Sequence, residues 1–252
     1  MTVGEIINAI NAIAPFSNQE SWDNSGLVVG DIKQTVNSVI VALDLTEDIL
    51  TQAENSASQA IITHHPPIFE PAKTFTADTL AYKAAVQGVS IIAAHTNFDA
   101  AAGGVSDTLA KTLGLKRIKS VPLPGETIAI LREGRVNFET ADEFARFIAK
   151  KLGGAVRFCD GGKAIKRVAV SGGSGKSFVN YVIEEGYDAF VTGEVSYDNF
   201  LEAKQKGLSI FCAGHFETEN PAMTVLADLL KTNCPSLKIT LGEQDTPITT
   251  VV

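Results

Sequence analysis

Apolar runs of strand length alternate with stretches of helical period along almost the whole chain. Val3, Ile6, Ile7, Ile10 and Ile13 recur at helical spacing and predict an amphipathic helix over 3–13, stopped by Pro15. Short β-branched runs follow at 26–30 and 38–43, and Thr46-Glu47-Asp48 opens a predicted helix over 47–57. The spacing then predicts strand and helix in pairs: 60–62 with 76–87, 89–94 with 104–113, 127–131 with 140–152, 167–171 with 176–185, 188–192 with 197–206, and 208–212 with 221–231. A final strand is expected at 247–251. Alternation of this kind indicates an α/β fold, a largely parallel sheet with helices packed on both faces. The break Val121-Pro122-Leu123-Pro124-Gly125 interrupts the pattern. It leads to an expected organisation of one lobe from 1–125 plus 191–252, with a second α/β lobe of 126–190 inserted into it.

The most informative polar positions are the four histidines. His64-His65 follow the run Ala60-Ile61-Ile62-Thr63, His95 follows Val89-Ser90-Ile91-Ile92-Ala93-Ala94, and His215 follows Leu208 to Gly214. Each therefore stands just past the carboxyl end of a predicted buried strand, where open parallel sheets bind ligands. One histidine at a strand end is ordinarily a hydrogen-bonding loop residue; all four at equivalent positions point to a shared metal site. Carboxylates lie at matching offsets: Asp99 four residues after His95, and Glu219 four after His215, with Glu217 competing for the same role. Glu219 precedes Pro221, which suits a first helical turn, so it is expected in the loop or at the cap. Imidazole and carboxylate donors without thiolate suit zinc, iron or manganese. The donors are more than one tetrahedral ion with an open position requires, and two ions ~3.5–4 Å apart, bridged by a carboxylate and a water, would use them.

Other segments are weaker. Ser171-Gly172-Gly173-Ser174-Gly175-Lys176-Ser177 resembles a nucleotide loop, but Val170 stands where a Walker motif needs its first glycine, and Phe178 where a dinucleotide fingerprint needs its last. A tight strand-to-helix turn is the better reading, with N–H groups that could hold an anion. Asp23-Asn24, beside Trp22, reads as a turn that could also line a pocket. Asp44, at the end of Val39-Ile40-Val41-Ala42-Leu43, serves either the helix entry or the crevice.

Composition narrows the classes. A chain of 252 residues, 45% hydrophobic and 20% charged, can bury a large core. Its 21 basic against 29 acidic residues give a net charge of −8 without a basic stripe, which argues against nucleic acid as a partner. The start of the chain carries Glu5 and no basic cluster, so it does not read as a secretory signal, and no apolar run approaches the ~20 residues a membrane span needs. Cys159, Cys212 and Cys234 are far apart and form no CxxC, so a reducing cytoplasm is expected.

Taken together, several segments resemble the Nif-three-like dinuclear metal-centre family, often labelled type-two homologues of GTP cyclohydrolase I. They are Trp22-Asp23-Asn24-Ser25-Gly26-Leu27, Thr63-His64-His65-Pro66, His95-Thr96-Asn97-Phe98-Asp99, Ser171 to Gly175, Val191-Thr192-Gly193-Glu194-Val195-Ser196 and Ala213-Gly214-His215-Phe216-Glu217-Thr218-Glu219. They span nearly the whole chain in the family's order. The resemblance implies two intertwined α/β/α lobes with mostly parallel or mixed sheets, and a homohexamer with the metal sites facing an internal cavity. It further implies that His64 and His65 each serve a different ion, with Asp99 on one, His215 on the other and Glu219 between them. His95 would lie close by. Some relatives carry a large extra central domain, for which this chain has no room. Some also place a histidine just after the Thr-Gly-acidic element, where Ser196, Tyr197 and Asp198 stand here.

The chemistry expected is hydrolysis of a small, nucleotide-like substrate by water activated between two divalent ions, with His95 or Glu194 carrying the proton. A metal-dependent phosphoesterase, and a non-catalytic metal-binding regulatory or interaction protein, are the alternatives; a closed coordination shell would mark the latter.

Overall fold

The computed structural model describes residues 1–249, which form two compact units. The first comprises Met1–Gly104 and Met223–Asp245; the second comprises Val105–Ala222, together with the chain from Thr246.

The first unit opens with α1 (Val3–Ile13), whose start is a reciprocal cap: Glu5 N donates to Thr2 Oγ1 at 3.2 Å and Thr2 N to Glu5 Oε2 at 2.7 Å. Val3, Ile6 and Ile10 form its buried stripe. There follow β1 (Gly26–Val29), β2 (Ser38–Ala42), α2 (Glu47–Asn55), β3 (Ala60–Thr63), α3 (Leu80–Val86), β4 (Ser90–Ala93) and the single turn α4 (Thr96–Ala100). The sheet runs β1-β4-β3-β2, with β2, β3 and β4 parallel and β1 antiparallel at the edge. Strands β2, β3 and β4 are buried at every position, as expected of parallel strands covered on both faces.

The second unit contains α5 (Val105–Thr112), β5 (Lys116–Val121), β6 (Leu131–Phe138), α6 (Ala141–Leu152), β7 (Arg157–Cys159), β8 (Ile165–Val170), α7 (Val179–Glu184), β9 (Ala189–Thr192), α8 (Tyr197–Lys206), β10 (Ser209–Cys212) and the single turn α9 (His215–Glu219). Its sheet order is β5-β6-β8-β9-β10-β7, in which β8, β9 and β10 pair in parallel, while β5 with β6, β6 with β8 and β7 with β10 pair antiparallel. Side chains alternate between two cores: Val168, Val170, Val191 and Phe211 on one face, Ala169, Phe190, Ile210 and Cys212 on the other. Helix α10 (Pro221–Asn233) then leads back to the first unit, where β11 (Lys238–Leu241) adds a parallel strand beside β2.

The α/β class and most elements match the sequence pattern, and both sheets are mixed, as the mostly parallel or mixed arrangement implied by the resemblance allows, though less uniformly parallel than the alternation of strand and helix predicts. The strand expected at 127–131 begins only at Leu131 and runs antiparallel to β8. The helix expected over 176–185 is a 3-10 turn, Lys176–Phe178, followed by α7. Of the strand expected at 247–251, residues 247–249 are not strand and the rest lies outside the described residues. The chain divides after Gly104 and after Ala222. The reason is pairing: β9 and β10 continue the sheet of β8, which keeps the chain between them and Ala222 with the second unit. Among the described residues, no helix is long and apolar enough to cross a membrane.

Candidate metal centre

In the first unit, parallel register sets Thr63 opposite Ala93 and Ala42 opposite Thr63, so the residues just beyond β2, β3 and β4 emerge together. Those residues include Asp44, His64, His65 and His95. The three imidazoles gather tightly, with centroids 4.9 Å apart for His64 and His65, 5.1 Å for His64 and His95, and 5.5 Å for His65 and His95. One nitrogen from each lies within 4.8 Å of the other two, a separation that suits shared coordination. His95 precedes α4, and its carbonyl accepts from Phe98 N and Asp99 N, starting the turn that carries Asp99. Asp99 Oδ1 lies 3.5 Å from Nε2 of the fully buried His64.

The second unit uses the same device. Beyond β8, β9 and β10 stand Ser171–Gly173, Gly193-Glu194 and Gly214-His215, side by side at the carboxyl ends of parallel strands. Helix α9 places His215 and Glu219 one turn apart, with His215 Nε2 3.2 Å from Glu219 Oε2. Glu219 is buried and His215 half-exposed. Gly173 sits against this pair with φ +57°, and a Cβ there would overlap Glu219 Oε1, so the position requires glycine. Thr218 ties the loop to the helix: Gly173 N donates to Thr218 Oγ1 at 3.1 Å, while that hydroxyl donates to Gly214 O at 2.8 Å. Gly175 N is likewise engaged, by Glu194 O, so two donors that an anion would need are already used. Glu217, the competitor of Glu219, packs its carboxylate against Gly214 and Gly154 instead.

All four histidines share one feature. Each points Nδ1 at an acceptor: His64 at Ala94 O (2.8 Å), His65 at Asp44 Oδ1 (2.7 Å), His95 at Asp23 Oδ1 (2.8 Å) and His215 at Glu194 Oε1 (3.1 Å). A carbonyl or ionised carboxylate only accepts, so Nδ1 carries a proton, and in the neutral ring the lone pair is left on Nε2. This is how imidazoles that bind metals are oriented from behind. Asp23 is held firmly. Burial would raise its carboxyl pKa, but hydrogen bonds from His95, Thr96 and Ser25 outweigh burial and keep it well below the usual carboxylate range.

The sequence brought His64, His65, His95 and Asp99 to the first unit's strand ends, and Glu194, His215 and Glu219 to those of the second. It did not single out Asp23 and Asp44 as partners of His95 and His65, because turn and helix-entry roles explained them equally well. Asp44's place at a strand end, like the histidines', was the available signal.

The family model described as Duf34/NIF3 (NGG1p interacting factor 3) matches residues 1–247. The chain belongs to the DUF34/NIF3 family. Curated members of similar length include the GTP cyclohydrolase 1 type 2 homolog of Clostridium perfringens, 33% identical over 241 residues and 92% of both chains. That of Campylobacter jejuni is 34% identical over 241 residues, again 92% of both. Among solved structures, Staphylococcus aureus protein SA1388 superposes with a TM-score of 0.90 at 25% identity, covering 100% of this chain and 99% of its own.

Proposed function

We propose that this DUF34/NIF3 protein is a metal-dependent hydrolase. Its centre holds two divalent cations (zinc, iron or manganese) on His64, His65, Asp99, His215 and Glu219, and its substrate is a small nucleotide-like molecule. The observation that carries the reading is the orientation of the imidazoles. With Nδ1–H donated inward, the Nε2 lone pair of His64 faces Asp99 Oδ1 at 3.5 Å and that of His215 faces Glu219 Oε2 at 3.2 Å. With the ring neutral, a lone pair against a carboxylate oxygen at such range is repulsive, and a proton or a metal ion between the two relieves it; a nitrogen and an oxygen donor facing one point are what a metal ion takes up. The donor chemistry, nitrogen and oxygen without thiolate, fits the metals named. His64, His65 and Asp99 of the first unit and His215 and Glu219 of the second are five donors, the number a pair of ions would use. The names of the Clostridium perfringens and Campylobacter jejuni relatives support a nucleotide-like substrate.

Bound divalent cations supply Lewis acidity and water acidified toward neutral pH. The remaining work falls to the chain. His95, its Nδ1 held by Asp23, offers Nε2 as the site that takes up and returns a proton. Glu194, the second proton carrier considered, is hydrogen-bonded to His215 and is better suited to orienting that ring. The three cysteines are free, and burial pushes the Cys212 thiol up to about 11, consistent with an inert thiol in a reducing cytoplasm. A homohexameric assembly is part of the same proposal.

Elemental analysis of His64→Ala and Glu219→Ala tests the ligand set: both variants are expected to carry less metal per chain than the parent, and unchanged content overturns the assignment. Metal-loaded protein incubated with nucleotides and phosphoesters, with products followed by chromatography, tests the activity. Turnover of a nucleotide that chelation abolishes is expected; retained metal without turnover of any compound supports the non-catalytic reading instead.

A further inference from the structure

We propose that Trp22 and Phe69 form a stacking site for a planar nitrogen heterocycle, such as a purine, beside His95. Trp22 is 61% exposed and Phe69 46% exposed, although aromatic rings of this size usually gain by burial. Single exposed aromatics are ordinary on protein surfaces. These two are not independent. They come from separate loops of the first unit, yet both stand against the same imidazole. The Trp22 ring centroid is 5.9 Å from that of His95 at an interplanar angle of 71°, and Phe69's is 5.4 Å away at 86°. Nearly perpendicular, neither ring is stacked on His95.

The arrangement is braced. Asn24 Nδ2 donates to Ile68 O at 2.7 Å, pinning the turn that bears Trp22 to the loop that bears Phe69. The same turn is fastened to the start of α4, where Thr96 N donates to Asp23 Oδ2 at 3.1 Å and His95 N to Ser25 Oγ at 3.1 Å. Two exposed π-systems are thus held at fixed positions around the proposed proton carrier. Flat rings stack on aromatic side chains through their π-faces, largely irrespective of which base presents itself. The site therefore selects planarity and aromaticity, and it brings the ring within reach of His95. The inference deepens the hydrolase proposal and rests on it for the claim that the ring belongs to the substrate.

Trp22 is the only tryptophan, so intrinsic fluorescence reads this site directly. The full chain, as purified and after chelation, is titrated with guanosine 5′-monophosphate and, separately, with ribose 5-phosphate, which lacks the ring. Saturable quenching by the nucleotide alone is expected. Phe69→Ala and Phe69→Leu, which leave the fluorophore in place, should each weaken that binding about tenfold with an unchanged thermal midpoint. Phe69→Leu keeps an apolar side chain and removes only the π-face. Absence of quenching, equal quenching by ribose 5-phosphate, or unaltered affinity in Phe69→Leu overturns the proposal. So does blue-shifted emission insensitive to ligand, which would mark an indole covered by a second copy of the chain. Because the titration reads binding without turnover, its failure counts against the stacking site, whereas failure of the product screen counts against the hydrolase reading.

Discussion

Asp44 and His65 illustrate how much one carboxylate does from behind a ring. The carboxylate of Asp44 accepts from His65 Nδ1, which fixes both the tautomer and the direction of Nε2. Asparagine at this position keeps the size but gives up the charge that strengthens the imidazole as a donor. Groups in this position typically change metal affinity 10–100-fold. Asp44→Asn is therefore expected to weaken zinc or manganese binding at least about tenfold by calorimetric titration, with the thermal midpoint of the metal-free protein changed little because the Asp44 side chain is half-exposed. Equal affinity in the variant would count against this role. The histidines were legible in the sequence because chemistry and position coincided at every one. Asp23 and Asp44, behind His95 and His65, were not, since aspartate in a turn or before a helix already has a sufficient local explanation in capping.

Long, periodic elements were readable because burial imposes a period on many residues at once. Helix α6, with Phe144, Ala145 and Ile148 inward and Thr140 and Glu143 reciprocally capped, is one example. The elements that escaped notice are short or exposed. Strand β5 (Lys-Arg-Ile-Lys-Ser-Val) lies at a sheet edge and shows water most of its side chains, and β7 is three residues long. The single turns α4 and α9 are too brief for any period to register, yet they set Asp99 against His64 and Glu219 against His215. The second of these turns depends on the Thr218 hydroxyl, which is buried and links the glycine loop to the helix. Thr218→Val keeps the shape but leaves Gly173 N–H without its acceptor. A destabilisation of about 1–3 kcal/mol is expected in urea denaturation. Loss of less than a few tenths would show the loop to be held by other contacts.

Over the whole chain, the two units are not consecutive halves. The path leaves the first after Gly104 and re-enters it at Met223, partway along the continuous helix α10. Gly103-Gly104 and Asn220-Pro221 stand at these two divisions, but each is as short as other turn signals along the chain, and the longer break Val121-Pro122-Leu123-Pro124-Gly125 is the more conspicuous in the sequence. The proposed ligands come from both units, so metal should stabilise the chain as a whole. At a free metal concentration 100 times the dissociation constant, linkage predicts about 2.7 kcal/mol. Differential scanning calorimetry is expected to show a single transition that rises with added zinc or manganese and falls with chelator. Two transitions, only one of them responsive, would argue that the ligands of a single unit suffice.

The inward commitment of every Nδ1 also bears on how a cation would arrive. Rings already locked by Ala94, Asp44, Asp23 and Glu194 have no flip to perform and no competing tautomer to leave. The orientational entropy of four side chains is thus surrendered when the polypeptide folds, not when the ion lands. What remains for capture is the exchange of the ion's own water for ring nitrogens and carboxylate oxygens that already face it in their binding orientation.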